Sequence, residues 1–269
     1  MFINVLLSAF DEQMALFVVD ERNCYRPAGI AKFAKSRGGA LHDDPADNRS
    51  LPLFYLESVI LEFVLAEQAF MVHNLSLVEQ AMGLGGWTHY ATMRDASWYE
   101  QLGIRIGTQK LSQAMGGGFW ETLFLNLLGR NTTLTYGVGL DFQGETFIKP
   151  YSPPYYKSMA EAVLDFIDFK MSKQKGWLKD SSAAHPWQEE KGRKIKHSIP
   201  PYSEECIAAT IAVCEYVYNR YGRFPAYFGP MRMTLAHQAH HLDLSFYDKF
   251  YRPGAYTETQ ANHMKIWHH

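Results

Sequence analysis

Cysteine is scarce in this sequence of 269 residues, which contains only Cys24, Cys206 and Cys214 and no CxxC motif. Cys206 and Cys214 lie eight positions apart in a segment whose pattern predicts a helix, so their side chains are too far apart for a disulfide. The sequence therefore lacks a disulfide framework. We expect a reducing, cytoplasmic setting.

Excess charge of either sign is also lacking, since 26 Lys and Arg residues stand against 28 Asp and Glu residues. Such a balance gives no net field toward nucleic acid or an anionic membrane, and it favours small-molecule chemistry. No charge-free run approaches the roughly 20 residues of a membrane-spanning helix. The apolar start lacks basic residues and meets Asp11 early, which argues against a signal peptide.

Apolar and aromatic residues are plentiful, at 47% and 14%, and they suffice for a sizeable core. The mixture of helical and strand patterns predicts an α+β fold, and no internal repeat occurs. We expect a core over residues 1–172, a linker loop over 173–202 rich in Lys, Gly and Pro, and a helical C-terminal extension over 203–269.

The segment from Phe54 to Trp87 predicts one long helix, because it contains no proline and the glycines at 83, 85 and 86 end it. Apolar residues between Val59 and Val78 cover nearly its whole circumference. Neighbouring elements should therefore surround it, which makes it the central helix of the fold.

Small and polar residues form a stripe along this helix, at spacings of three or four. The stripe predicts a close approach by a second helix, by a symmetry mate or by the edge of a flat cofactor. A crowded helix–helix contact within the chain is the simpler alternative. The stripe comprises Ser58, Glu62, Ala66, Ala69, His73, Ser76 and Gln80.

Strands are predicted at Leu16–Val19, Thr132–Val138 and Glu145–Lys149, from their β-branched and aromatic content. Helices are predicted after glycines 116–118, after Ser158, after Ser203 and after Thr257, where capping residues precede apolar periodicity. A further helix is predicted to follow Pro230 and to carry MRMTLAHQAHHLDL.

A basic, glycine-bearing segment follows the first strand. It contains Arg22, Arg26, Lys32 and Arg37, together with Gly29, Gly38 and Gly39. Exposed backbone amides and arginine forks are the groups that bind a phosphate, so the segment is a candidate phosphate site. A solvated basic loop explains the same composition.

Histidines concentrate near the C-terminus. On the predicted helix, His237 and His241 lie one turn apart, a spacing that lets two imidazoles share a divalent metal, and His240 or His263 is the candidate third ligand. The sequence lacks an H-E-x-x-H motif, which argues against a zinc peptidase. One alternative is a hydrogen-bonded network in aromatic packing, and for His268 and His269 another is the remnant of an affinity tag.

The stretch HNLSLVEQAMGLGGW resembles the core signature of the FMN-dependent nitroreductase family, through Asn74, Leu75, Gly83, Leu84 and Gly85. The resemblance covers roughly residues 54–150. It implies an α+β homodimer with FMN at the subunit interface, an antiparallel-type sheet around the central helix, and reduction of a small organic acceptor with NAD(P)H. It assigns flavin binding to Asn74, Gly83, Gly85 and Gly86.

One family feature is missing, because no Arg-x-Ser-x-Arg motif precedes Asp20. If FMN binds, the phosphate contact is therefore expected from Arg22, Arg26, Lys32 or Arg37. An N-terminally shortened family member is an equivalent explanation. Two other functions stay open: a metal-binding protein or metal-dependent enzyme that uses the C-terminal histidines, and a cofactor-free interaction protein that retains the fold.

Overall fold

The structure is a computed structural model that describes residues 1–10, 17–20, 22–23, 50–91, 97–172, 176, 178, 188–226 and 234–268. It mixes helices with small sheets, as the predicted α+β class requires. The chain divides into two compact units. Unit 1 comprises Met1–Ile60 and Tyr99–Pro230, and unit 2 comprises Leu61–Trp98 and Met231–His269.

The described elements follow one another in this order along the chain: α1 (Phe2–Ala9), β1 (Phe17–Val19), β2 (Ser50–Pro52), α2 (Leu53–Met82), β3 (Gly85–Ala91), α3 (Ser97–Gln101), β4 (Ile104–Lys110), α4 (Leu111–Ala114), α5 (Phe119–Leu127), β5 (Thr133–Phe142), β6 (Glu145–Ile148), α6 (Met159–Met171), α7 (Glu189–Ser198), α8 (Glu204–Tyr221), β7 (Thr234–His240), α9 (Leu244–Phe250) and α10 (Glu258–Trp267). Among these helices, none combines the length and the apolarity needed to cross a membrane.

Three small sheets hold the strands of the described residues. In unit 1, β1 pairs with β2 in parallel, and β4, β5 and β6 form an antiparallel sheet in that order. In unit 2, β3 pairs with β7 in antiparallel register, with Gly85 opposite His240 and Thr88 opposite His237. This last pairing places the histidines of β7 beside the glycine-rich end of α2.

The core of unit 1 forms where α8 packs against α6 and α1. The small and β-branched residues of α8 turn inward, and both Cys206 and Cys214 are buried there as thiols, which confirms that they do not bridge. Leu6 and Leu7 of α1 and Val163 of α6 are fully buried against this helix. Apolar periodicity therefore positions this core as the sequence predicts.

Most of the predicted helix starts are confirmed by their caps. Ser158 and Ser203 accept hydrogen bonds from Glu161 N and Cys206 N, respectively, and Thr257 forms a capping box with Gln260. The helix α8 ends at Gly222, which adopts φ +69°, a conformation that favours glycine.

Burial of α2 differs from the prediction. Leu56 and Ile60 are buried in unit 1, but large apolar side chains are exposed along the rest of the helix, where Phe70 is 70% exposed. The prediction that neighbours within the chain surround this helix is therefore wrong beyond Ile60. The sequence shows that the circumference is apolar, but not which molecule covers it. A symmetry mate stays a prediction.

The helix predicted to carry MRMTLAHQAHHLDL is also wrong, because residues 234–240 form strand β7 and the short helix α9 starts only at Leu244. Pairing with β3 along seven residues decides the outcome, as tertiary contacts routinely override weak helix propensity. The prediction missed β3 and β4 as well. Helix α7 lies within the predicted linker, and β7 lies within the predicted helical extension.

Candidate functional site: a three-histidine cluster

Three histidines from two parts of unit 2 come together. Nε2 of His263 lies 3.3 Å from Nδ1 of His241. With one ring nitrogen of His268, the three possible ligand atoms all lie within 4.8 Å of one another. The rings of His241 and His263 are stacked, with centroids 5.3 Å apart.

The local fold positions each ring. His241 follows β7 and precedes Asp243, the N-cap of α9, whose Oδ1 accepts a hydrogen bond from Phe246 N at 3.1 Å. His268 is the C-cap of α10, and its φ of −137° and ψ of 79° take the chain out of the helix. Its ring centroid consequently lies 3.7 Å from that of His241.

Gly83 allows α10 to approach the end of α2. A Cβ at this glycine would lie 2.5 Å from the carbonyl oxygen of Thr259 and 2.6 Å from Cβ of His263, and its φ is +77°. Gln260 Nε2 also donates to the carbonyl oxygen of Leu84 at 3.2 Å. A side chain at position 83 would therefore displace the helix that carries His263.

The distance between His241 and His263 suits a metal. Tetrahedral zinc binds imidazole nitrogens at about 2.0–2.1 Å, which places two such nitrogens about 3.3–3.4 Å apart. Desolvation lowers the pKa of His268 below its usual 6.5, and the charges of His241 and His263 lower it further. Its imidazole is therefore neutral at neutral pH, the form that coordinates a metal.

The cluster borders an open surface depression of about 730 Å³. Apolar side chains, one carboxylate and one ammonium group accompany the histidines there, so a small molecule beside the cluster would meet both charge signs. The lining comprises His241, Leu242, Asp243, Leu244, Met264, Lys265 and His268.

The structure keeps only part of the predicted histidine set together. His241 and His263 meet as predicted, but His268 replaces His237 and His240, which lie on β7. In an extended chain, four residues span about 13 Å instead of one helical turn, so His237 does not share a site with His241 through that spacing. No periodicity in the sequence marks His268, because it acts from beyond the helix end.

His237 lies beside two residues that the sequence analysis did not single out. Its Nε2 is 2.8 Å from Oε1 of Glu79, and its Nδ1 is 3.0 Å from Oγ1 of Thr88. His240 is exposed and lies opposite Gly85 on β3. Cross-strand register was the only signal able to find the contact with Thr88, and β3 was not predicted.

The residues assigned to flavin binding are spread over both units. Arg26, Lys32 and Arg37 lie outside the described residues, and Arg22 Nη1 donates to the carbonyl oxygen of Met115 at 3.3 Å. Asn74 is exposed on α2. Their role toward a flavin stays a prediction.

Contacts within unit 2 explain the remaining glycines. A Cβ at Gly85 would lie 2.5 Å from Leu242 Cδ2, and one at Gly86 would lie 2.0 Å from Glu79 Oε2. As at Gly83, the close approach that each glycine allows is used by the protein itself. Glycine at these positions is thus accounted for without a bound cofactor.

Comparisons of the chain with protein-family models, with curated proteins and with solved structures find no match.

Proposed function

We propose that this protein binds a divalent transition metal, with zinc as the reference ion, through His241, His263 and His268. The observation that carries the proposal is the convergence of three imidazole nitrogens within 4.8 Å. Imidazole ligands suit zinc, copper, nickel and iron, whereas magnesium and calcium prefer oxygen ligands.

The number of ligands favours a reactive site over a structural one. Structural zinc sites are closed by four protein ligands, whereas catalytic sites use three and keep a position for water or substrate. The cluster offers three nitrogens beside an open depression of about 730 Å³. The proposed activity class is therefore metal-dependent hydrolysis or hydration of a small molecule.

Charged side chains beside the histidine cluster indicate which kind of substrate it would bind. Lys265 lines the depression and supplies a cation for an anionic group. The Asp243 side chain is held by Ser245 Oγ at 2.7 Å and by the amide of Phe246, and these hydrogen bonds lower the pKa of its carboxyl. Asp243 thus stays ionised and in place while it caps α9.

Zinc titration of chelator-treated protein, followed by calorimetry, tests the proposal. We expect one zinc ion per chain. Replacing any of the three ligands, as in His241→Ala, His263→Ala or His268→Ala, should weaken binding at least about 100-fold, because lost outer-shell partners alone cost 10–100-fold. Equal zinc affinity in wild-type protein and His263→Ala would overturn the proposal.

Two matched histidines serve as controls. His240→Ala removes an exposed histidine next to the cluster, and His197→Ala removes an exposed one in unit 1. Both should bind zinc as the wild type does. If His268→Ala also binds zinc normally while His241→Ala does not, the three-ligand arrangement is wrong.

A flavin-dependent oxidoreductase of nitroreductase type, which reduces a small organic acceptor with NAD(P)H, is the second candidate. The observation that favours it is the exposed face of α2, where Asn74 lies among exposed apolar side chains that include Phe70, Met71 and Leu75. In a homodimer built on this face, Asn74 would lie at the interface, where the family resemblance implies FMN.

Visible absorption of the purified protein tests the flavin proposal independently of metal. We expect a yellow protein, and reduced flavin retention in the double variant Arg26→Ala, Arg37→Ala. An arginine fork on a phosphate dianion is a strong hydrogen-bonded pair, so its loss should weaken FMN binding about tenfold or more, equivalent to about 1.4 kcal/mol. Colourless protein that does not take up added FMN would contradict this candidate.

A further inference from the structure

Thr88, His237 and Glu79 lie in a row of close polar contacts in unit 2, separate from the three-histidine ligand set. Thr88 and His237 are directly opposite each other on β3 and β7, so their side chains share one face of the ladder. Oγ1 of Thr88 is 3.0 Å from Nδ1 of His237, and Nε2 of the same ring is 2.8 Å from Oε1 of Glu79.

The two ring nitrogens of His237 face different groups. Nδ1 is within hydrogen-bond distance of the Thr88 hydroxyl, which can donate to it, while Nε2 lies 2.8 Å from the Glu79 carboxyl group without forming a hydrogen bond. The ring is therefore placed as a base that faces the hydroxyl, as in sites where a carboxyl–histidine pair activates a serine or threonine nucleophile.

Burial of the side chains decreases from Glu79 to Thr88. Glu79 and His237 have side chains only 10% and 12% exposed, whereas Thr88 is exposed. Within the described part of the chain, Glu79 Oε1 and His237 Nε2 are buried 2.8 Å apart, and neither atom has a hydrogen-bond partner. The carboxyl group therefore faces the imidazole, while the hydroxyl is open to a reactant from solvent.

Gly86 makes room for this arrangement. It precedes Thr88 by two residues on β3, so the two positions face the same side. A Cβ there would lie 2.0 Å from Oε2 of Glu79. Any side chain at position 86 would therefore push the carboxylate away from His237.

We propose that Thr88 is a nucleophile for acyl transfer, with His237 as its general base, Glu79 as the group that orients His237, and a neutral carboxylic ester as the substrate. Oγ1 of Thr88 bonds to the ester carbonyl carbon while its proton passes to Nδ1 of His237. The C–O bond to the alcohol then breaks, and the leaving alkoxide takes that proton. A neutral ester fits because Glu79 repels anionic phosphoesters.

Hydrolysis of the acyl-Thr88 ester completes the cycle. A water molecule loses a proton to His237 and bonds to the acyl carbon. The bond to Thr88 Oγ1 then breaks, and His237 returns the proton to Thr88. The sum is one ester and one water converted to one acid and one alcohol, without an oxidant or a cofactor.

A fluorophosphonate traps such a nucleophile, because the oxygen–phosphorus bond forms as fluoride leaves and the adduct does not hydrolyse readily. The protein is labelled in the presence of EDTA, which removes any contribution from a metal site, and peptides are mapped by mass spectrometry. We expect the label on Thr88, its loss in Thr88→Val, and its retention in Thr88→Ser. His237→Gln should slow labelling roughly 100-fold or more, within the range for a positioned base.

Thr108 is the matched control. It is an exposed threonine on β4 that pairs with Thr135 instead of a histidine. Thr108→Val should label as the wild type does, and Thr108 itself should carry no adduct. Labelling of Thr88 at only the level of Thr108, or at an unchanged rate in folded His237→Gln, would overturn the proposal and leave the contacts of His237 as purely structural.

p-Nitrophenyl acetate, again with EDTA, tests the substrate class. The wild type should release p-nitrophenolate faster than Thr88→Val and should show an acetyl group on Thr88 when quenched early. Because Thr88→Val keeps the shape of the side chain, an unchanged melting temperature separates lost chemistry from lost folding. Equal rates in wild type and Thr88→Val would contradict ester hydrolysis at this site.

Discussion

The hydroxyl of Tyr221 lies 2.8 Å from Oδ2 of Asp20, although the two residues are 201 positions apart in the sequence. Asp20 follows β1, and Tyr221 is the last residue of α8, so this contact joins the first strand to the core helix of unit 1. Tyr216 donates to the same carboxylate oxygen at 2.6 Å, and Asn23 Nδ2 donates to it at 2.8 Å. The buried charge is therefore surrounded by donors.

Asp20→Asn should destabilise unit 1 by about 2–3 kcal/mol, because hydrogen bonds to a charged group contribute about 1.5–3 kcal/mol and the new amide would direct its own donors at tyrosine hydroxyls. Urea unfolding at neutral pH measures this change. Asp168→Asn, on an exposed part of α6, is the matched control and should stay within about 0.5 kcal/mol of the wild type. A similar effect for both variants would contradict the assigned role.

The loss of folding stability at low pH should also depend on Asp20. Burial raises the pKa of this carboxyl, but the hydrogen bonds from Tyr216, Asn23 and Tyr221 outweigh burial and hold it below 3.8. A depressed folded-state pKa adds stability that is present above the unfolded value and is lost as pH falls through the folded value. Unfolding midpoints measured from pH 6 down to about 2 should therefore fall less steeply in Asp20→Asn than in the wild type.

Gln143→Asn should stabilise the β5–β6 hairpin. Gln143 has φ 53° and Gly144 has φ +84°, the positive values that a two-residue type I′ turn needs at both positions. Asparagine tolerates this conformation better than glutamine, so we expect a gain of about 0.5 kcal/mol, read from thermal unfolding. Gly144→Ala should instead cost about 1 kcal/mol, and equal stability in both variants would contradict this account.

Ala69→Trp should disrupt a homodimer built on α2. Beyond Ile60 this helix exposes Phe63, Phe70 and Met71, and Ala66 and Ala69 lie exposed among them, which would allow a partner helix to approach closely. Sedimentation velocity should show a dimer for the wild type and a lighter species for the variant. Lys194→Trp adds the same bulk at a side chain that is 76% exposed on α7, and it should sediment as the wild type does. Wild-type sedimentation of Ala69→Trp would contradict an interface here.

Local signals in the sequence predicted much of unit 1. Ser158, Ser203 and Gly222 mark helix ends through short-range hydrogen bonds and backbone preference, so helix caps can be predicted from neighbouring residues alone. The hairpin around Gln143 can be predicted for the same reason. What these signals do not specify is which distant partner covers a surface, as the exposed stretch of α2 shows.

Pairing over a long sequence distance explains the misses in unit 2. His237 meets Thr88 because β3 and β7 pair across 149 positions. Neither strand alternates cleanly between apolar and polar residues, so the local pattern around His237 favoured a helix. His263 was singled out from composition, whereas His268 joins it only through the backbone bend at the end of α10.

Zinc should raise the melting temperature of the wild type, and the increase should vanish as pH falls. A ligand at about 100 times its Kd stabilises a folded protein by about 2.7 kcal/mol, which corresponds to a shift of about 5–10 °C for a chain of this size. All three ligands must be neutral imidazoles, so zinc should dissociate as pH falls through about 6.5. Differential scanning fluorimetry at pH 7.5 and at pH 5.5, with zinc or with EDTA, measures both effects.

His263→Ala should show no zinc-dependent shift at either pH, while His240→Ala should match the wild type. A zinc-dependent shift that persists at pH 5.5, or one that His263→Ala retains, would place the metal elsewhere in the chain and leave His241, His263 and His268 as a hydrogen-bonded stack that holds α10 against the end of β7.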